Sequence, residues 1–208
     1  MLRVEPSSVE TIACGQSGSP ERVLGFPRGK ATSTTTLPFF ETFVRRIGAL
    51  DRERVAAELR ELAMTHRWSA TGLHPASVGQ ERVHLLASAG QDQPSLYLVS
   101  DGAGVVSPPH EHETWAVIAG ISGVELHVVY ARVPGRTREV EPIADHRVGP
   151  GDVLVLDAAS IHSTAVDGAA TYHLHLYGRP LSKLRPFVER VFVRGPPSAR
   201  HERASREH

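Results

Sequence analysis

The chain is 208 residues long, 40% hydrophobic and 22% charged, and its 23 Lys+Arg against 23 Asp+Glu give a formal net charge of zero. A chain of this length buries roughly 70% of its surface on folding and needs no disulfide staple, and the charge balance speaks against a nucleic-acid-binding face. The absence of an apolar run of about 18 residues excludes a membrane-spanning helix, the N-terminus lacks the apolar segment of a secretory signal, and a single cysteine, Cys14, excludes an internal disulfide or a thiolate-rich zinc site.

A cytosolic protein is therefore expected. The 12 histidines direct attention to metal ligands.

Residues 1–36 contain TIACGQSGSP and ATSTTT, where Ser, Thr, Gly and Pro dominate, and read as a mobile arm. Residues 37–68 form a helical segment. Phe40, Phe43, Val44 and Ile47 recur at helical spacing before Gly48. Asp51 then caps a second helix whose buried stripe is Val55, Leu59, Leu62 and Ala63. Over residues 69–194 the pattern changes to short strands. These are RVHLLAS (82–88), SLYLVS (95–100), TWAVIAG (114–120), VELHVVYARV (124–133), DVLVLD (152–157) and TYHLHLYG (171–178), with VERVFVR (188–194) as a possible last one. Asp101-Gly102, Pro134-Gly135, Pro150-Gly151 and Asp167-Gly168 punctuate them as turns. Residues 195–208 read as a mobile tail. Many short strands with such punctuation imply a mainly β sandwich or barrel.

The stretch Gly104-Val-Val-Ser-Pro-Pro-His110-Glu-His112 carries the chemistry. Alternate residues of a strand share a face, with Cα atoms about 6.5–7 Å apart, so both imidazoles can converge on one ion. The stretch resembles the first cupin motif, G-x5-H-x-H-x3-4-E-x6-G, with Gly120 or Gly123 at its end. Gly151-Asp-Val-Leu-Val-Leu-Asp157-Ala-Ala159-Ser-Ile-His162 is similar to the second motif, with Asp157 and Ala159 in place of its proline and glycine. The resemblance implies a cupin jelly-roll barrel (a double-stranded β-helix) behind two short N-terminal helices. It also implies a metal held by His110, His112 and His162.

The chain departs from the motif where a glutamate ligand is usual, since Ala116 or Val117 stands there. Glu113 is adjacent to His112 and by strand parity faces away. The ligand set then contains three neutral histidines, as in thiol dioxygenases, in β-diketone-cleaving dioxygenases and in some zinc cupins.

PPHEHETWAVI and His173-Leu-His175-Leu-Tyr177 resemble the bacterial cysteine and 3-mercaptopropionate dioxygenases. What that resemblance implies is an Fe(2+) cofactor, O2 and a small thiol as partners, and oxidation of the thiol to its sulfinate. It places Tyr177, positioned by His175, beside the iron, with His173 where the family has serine. It assigns the substrate carboxylate to Arg82, 28 positions before His110, with Arg179 and Arg67 as rivals. A three-His cupin cleaving a carbon substrate and a non-catalytic metal- or ligand-binding cupin are the alternatives. His127, in mid-strand, reads as a structural core histidine.

Overall fold

The computed structural model describes residues 38–71 and 74–195. The expected arm over 1–36, with Cys14, and the expected tail apart from Gly195 lie outside the described residues.

Helix α1 (Pro38–Ile47) begins on a proline, whose missing N–H costs nothing in the first turn. It buries the expected Phe40, Phe43, Val44 and Ile47. Helix α2 (Arg52–Thr65) is capped by Asp51, whose side chain accepts the Arg54 N–H at 2.9 Å. Its stripe of Val55, Leu59, Leu62 and Ala63 is buried with that of α1 against Leu96, Leu98, Val117, Ala119, Leu174 and Leu176. Those six side chains are alternate residues of three neighbouring strands, as the period of two requires. Trp115 packs against the same cluster, with the Arg52 guanidinium 3.5 Å above its ring.

The strands are β1 (Glu81–Ser88), β2 (Ser95–Asp101), β3 (His110–Glu111), β4 (Ala116–Ser122), β5 (Glu125–Arg132), β6 (Glu139–Val148), β7 (Val153–Leu156), β8 (Ile161–Ala165), β9 (Thr171–Tyr177) and β10 (Val193–Arg194). They form two five-stranded sheets, ordered β1-β2-β9-β4-β7 and β10-β6-β5-β8-β3. Every pairing is antiparallel except β10 with β6. This is the mainly β jelly roll expected from the cupin motifs. The helices cover the outer face of the first sheet. Its inner face presents Tyr97, Val99, Ala116, Ile118 and Tyr177, which pack with Val148, Leu154 and Leu156. Strand β2 is buried at every residue because it is covered on both faces.

Two motif glycines have structural reasons. A Cβ on Gly120 would lie 2.0 Å from the Gly149 carbonyl oxygen, so only glycine lets the 149–152 turn close on β4. Gly151 sits in that turn at φ +83°, a left-handed conformation that favours glycine.

Two strands escape the sequence reading, and one expectation needs correction. Strand β6 carries no apolar alternation, because most of its residues are exposed and Pro142 interrupts it. It forms by pairing with β5, with an irregular register at Val129/Tyr130. Strand β8 is too short to read as a strand without its partners β5 and β3. The expected strand 188–194 is a helical turn at Phe187–Glu189 followed by the two residues of β10. No described helix is long and apolar enough to cross a membrane.

Candidate metal centre

Strands β3 and β8 bring the first two candidate ligands together, since His110 and His162 are direct register partners. His112 follows β3, whose extended run ends at Glu111, and Glu113 adopts φ +55°. That left-handed residue turns the chain toward β4. The Glu113 carboxylate consequently points to Arg185, accepting its backbone N–H at 3.1 Å and pairing with its guanidinium. Glu113 faces away from the ligand set, as expected, but through this turn and not through strand parity.

The three imidazoles form a nearly equilateral cluster, with ring centroids 4.8 Å apart for His110–His112, 4.6 Å for His110–His162 and 5.0 Å for His112–His162. Each offers one nitrogen, and these nitrogens all lie within 4.8 Å of one another. His112 Nε2 and His162 Nε2 are 2.8 Å apart. Two nitrogens bonded at about 2.1 Å to one ion at right angles would be about 3.0 Å apart, so the pair fits a shared transition metal. His110 Nδ1 donates to the Pro108 carbonyl at 2.9 Å, which leaves Nε2 as the free lone pair. Burial pushes the His110 pKa down to about 4 and those of His112 and His162 well below 6.5. All three are neutral, as ligands must be. Three imidazoles without a carboxylate suit a borderline divalent ion and leave coordination positions open.

Strand β9 supplies the next layer. His173, His175 and Tyr177 alternate onto the inner face. His175 Nδ1 and the Tyr177 hydroxyl hydrogen-bond at 2.9 Å, and the Tyr177 ring lies 4.9 Å from that of His112. Burial holds the Tyr177 pKa well above 10, so the phenol keeps its proton. His173 is directed elsewhere. Its Nε2 donates to the Val148 carbonyl at 3.1 Å, and its Nδ1 lies 3.6 Å from Glu125 Oε2. Expected at the substrate side in the place of the family's serine, it meets the Val148 carbonyl and Glu125 instead.

Arg82 is corrected by register. It pairs with Ser100, which pairs with Tyr172, whereas Val83 pairs with Val99 and through it with His173. Arg82 is thus exposed on the outer face, opposite the ligands. Arg179 is half-exposed, 3.7 Å from Asp92, and Arg67 is exposed just beyond the end of α2.

The arginine that the structure does bring to the centre is Arg190, which is 5% exposed. The segment after β9 returns across the mouth, where Val191 bridges to His110 and the Phe187 ring lies 5.1 Å from the His110 ring. Arg190 Nε donates to the Arg185 carbonyl at 2.9 Å and Nη1 to the Glu111 carbonyl at 2.6 Å. Nη2 is engaged by neither. The Arg190 charge depresses His110 and His112 further and works against the burial that keeps Tyr177 protonated. No local pattern marks Arg190, because its place depends on a chain return of some length.

Behind the ligands, Asp101, Glu125 and His127 are buried inside the barrel. Burial, then the neighbouring Glu125 charge, pushes the Asp101 carboxyl up to about 8, and the two acids share a hydrogen bond. A carboxyl raised in the folded state contributes stability at low pH and loses it as pH rises through about 8. Stability should therefore fall from about pH 5 to about pH 8 and level off above, and Asp101→Asn should flatten that decline. Urea unfolding at both values measures it, and an undiminished decline in the variant would contradict the assignment.

No family model and no curated protein matches the sequence. Solved structures do. The DMSP lyase DddQ from Ruegeria pomeroyi is 21% identical with a TM-score of 0.38, over 49% of this chain and 47% of that one. A cupin superfamily protein from Desulfitobacterium hafniense is 18% identical with a TM-score of 0.40, over 55% of this chain and 91% of that one. An RmlC-like cupin from Methanocaldococcus jannaschii is 9% identical with a TM-score of 0.40, over 53% and 91%. The match spans about half the length of the lyase.

Proposed function

We propose that the protein is an iron(II)-dependent thiol dioxygenase. It would convert a small carboxylate-bearing thiol, cysteine or 3-mercaptopropionate, to the sulfinate by RSH + O2 → RSO2− + H+. A cytosolic setting goes with this reading, since thiols stay reduced there.

The observation that carries the reading is the buried His175–Tyr177 pair beside His112. A three-His metal site alone serves several chemistries. A protonated phenol held against the ligands adds a fixed hydrogen-bond donor where a thiol and O2 would meet. His110, His112 and His162 would hold the ion. When bound, ferrous iron supplies a Lewis-acid site for the thiolate and the electron that activates O2. Tyr177 donates its proton toward the reacting atoms, and His175 fixes the direction of its hydroxyl. Ala116, Ile118 and Leu156 form an apolar wall that keeps bulk water out. Arg190 replaces Arg82 as the partner of the substrate carboxylate, through Nη2.

Oxygen uptake by iron-loaded protein tests the proposal against 3-mercaptopropionate, cysteine, cysteamine and a β-diketone. One O2 consumed per carboxylate-bearing thiol, with sulfinate as product, is expected. Indifference to thiols with uptake on the diketone would transfer the site to carbon cleavage. Binding without uptake would make the protein a ligand-binding cupin.

A further inference from the structure

Of the buried polar groups behind the ligands, Glu125 and His127 stand in line with one of them. Both are on β5, two residues apart and so on one face, and are 1% and 0% exposed. His127 Nδ1 lies 3.2 Å from His162 Nδ1, and the two rings are parallel to within 4° with centroids 5.4 Å apart, so they lie side by side and not face to face. That is the in-plane geometry of an imidazole–imidazole hydrogen bond. On its other side, His127 Nε2 lies 3.0 Å from Glu125 Oε2, a close polar contact that falls short of a full hydrogen bond.

The proton positions follow in one order. If His162 binds the ion through Nε2, which faces His112 Nε2, a neutral His162 carries its proton on Nδ1. That proton is donated to His127 Nδ1. His127 must then carry its own proton on Nε2, facing Glu125. No other neutral arrangement uses both contacts with His162 as ligand.

We propose that Glu125 and His127 are positioning residues, a carboxylate–imidazole pair that holds His162 in its metal-binding tautomer and supplies from outside the ligand set the carboxylate that Ala116 does not. The proposal rests on the metal-centre reading of the three histidines. A second pair of like function is absent at His112, whose Nδ1 has no hydrogen-bond partner among the described residues, and at His110 the partner is a neutral backbone carbonyl. His162 is thus the one ligand with a carboxylate behind it. Its Nδ1 meets a side chain, His127, whereas the Nδ1 of His110 meets a backbone carbonyl of its own segment.

The test is metal affinity, measured by chelator competition with Fe(II) and Co(II), together with the melting temperature of each metal-free variant. His127→Phe keeps the ring volume and removes the acceptor. It should weaken both metals about 10- to 100-fold, as loss of an outer partner of a ligating histidine does, with the visible spectrum of bound Co(II) shifted. His127→Gln, which offers an amide oxygen to His162 and an amide N–H to Glu125, should recover most of the affinity. Glu125→Leu should behave like His127→Phe, and Glu125→Gln, which keeps an acceptor, should recover. A merely structural role would lower the metal-free melting temperature and would not be repaired by Gln at either position.

Wild-type affinity in His127→Phe, or failure of both Gln variants to recover it, overturns the proposal. If His127→Phe does not fold, the Glu125→Leu and Glu125→Gln comparison decides it in the same way. His162→Ala separates the two readings. If wild type binds neither metal, the metal-centre reading fails and takes the pair with it. If His162→Ala loses metal while His127→Phe and Glu125→Leu keep it, the positioning pair alone is wrong.

Discussion

His162→Ala is expected to lose iron and activity together. His162 faces His110 across the β3–β8 ladder and holds its Nε2 2.8 Å from that of His112. Removing it leaves two donors on one side of the ion. The loss should exceed the roughly 10- to 100-fold that accompanies removal of an outer partner. His110→Ala and His112→Ala should match it. The fold should survive at some cost in stability, because the hydrophobic clusters of both sheets are built from other side chains. Iron quantified per chain beside sulfinate formation measures both effects. Stoichiometric iron in His162→Ala would remove His162 from the ligand set.

The second large effect concerns substrate charge. Arg190 precedes Val191, which bridges to His110, and two of its nitrogens are tied to backbone carbonyls. Those ties hold the guanidinium in place and leave Nη2 to meet an anion. A buried hydrogen bond to a charged group is worth about 1.5–3 kcal/mol, or roughly ten- to a hundredfold in specificity. Arg190→Ala should therefore collapse the preference for 3-mercaptopropionate over cysteamine by about that factor. The preference is a ratio, so a general loss of activity from loosening the mouth does not mimic it. Arg82→Ala, on the outer face, should leave the ratio unchanged. An unchanged ratio in Arg190→Ala would place the carboxylate elsewhere.

What could be read from the sequence was what short-range rules encode. Both helices follow from the apolar spacing and from Asp51, and the three histidines follow from two spaced motifs on antiparallel strands. What could not be read depends on partners distant in the chain. Strand β6, exposed and interrupted by Pro142, exists because β5 lies beside it. The side of the sheet on which Arg82 falls is a question of register, and a spacing of 28 positions carries no register. Arg190 reaches the centre only because the chain returns across the mouth after β9. The Glu125–His127 pair did leave a trace, two polar residues of one parity in a strand that is otherwise apolar up to Arg132. It read as a structural histidine because nothing in β5 alone indicates that its inner face meets His162.

Every role proposed for Tyr177, Arg190 and His127 depends on His110, His112 and His162 holding one metal ion. Anomalous scattering at the iron edge from crystals of iron-loaded protein tests it most directly. The account predicts a single peak about 2.1 Å from the Nε2 atom of each of the three histidines, with Tyr177 and Arg190 Nη2 facing the open side. A peak that lacks any one of the three, or that lies elsewhere in the barrel, would contradict it.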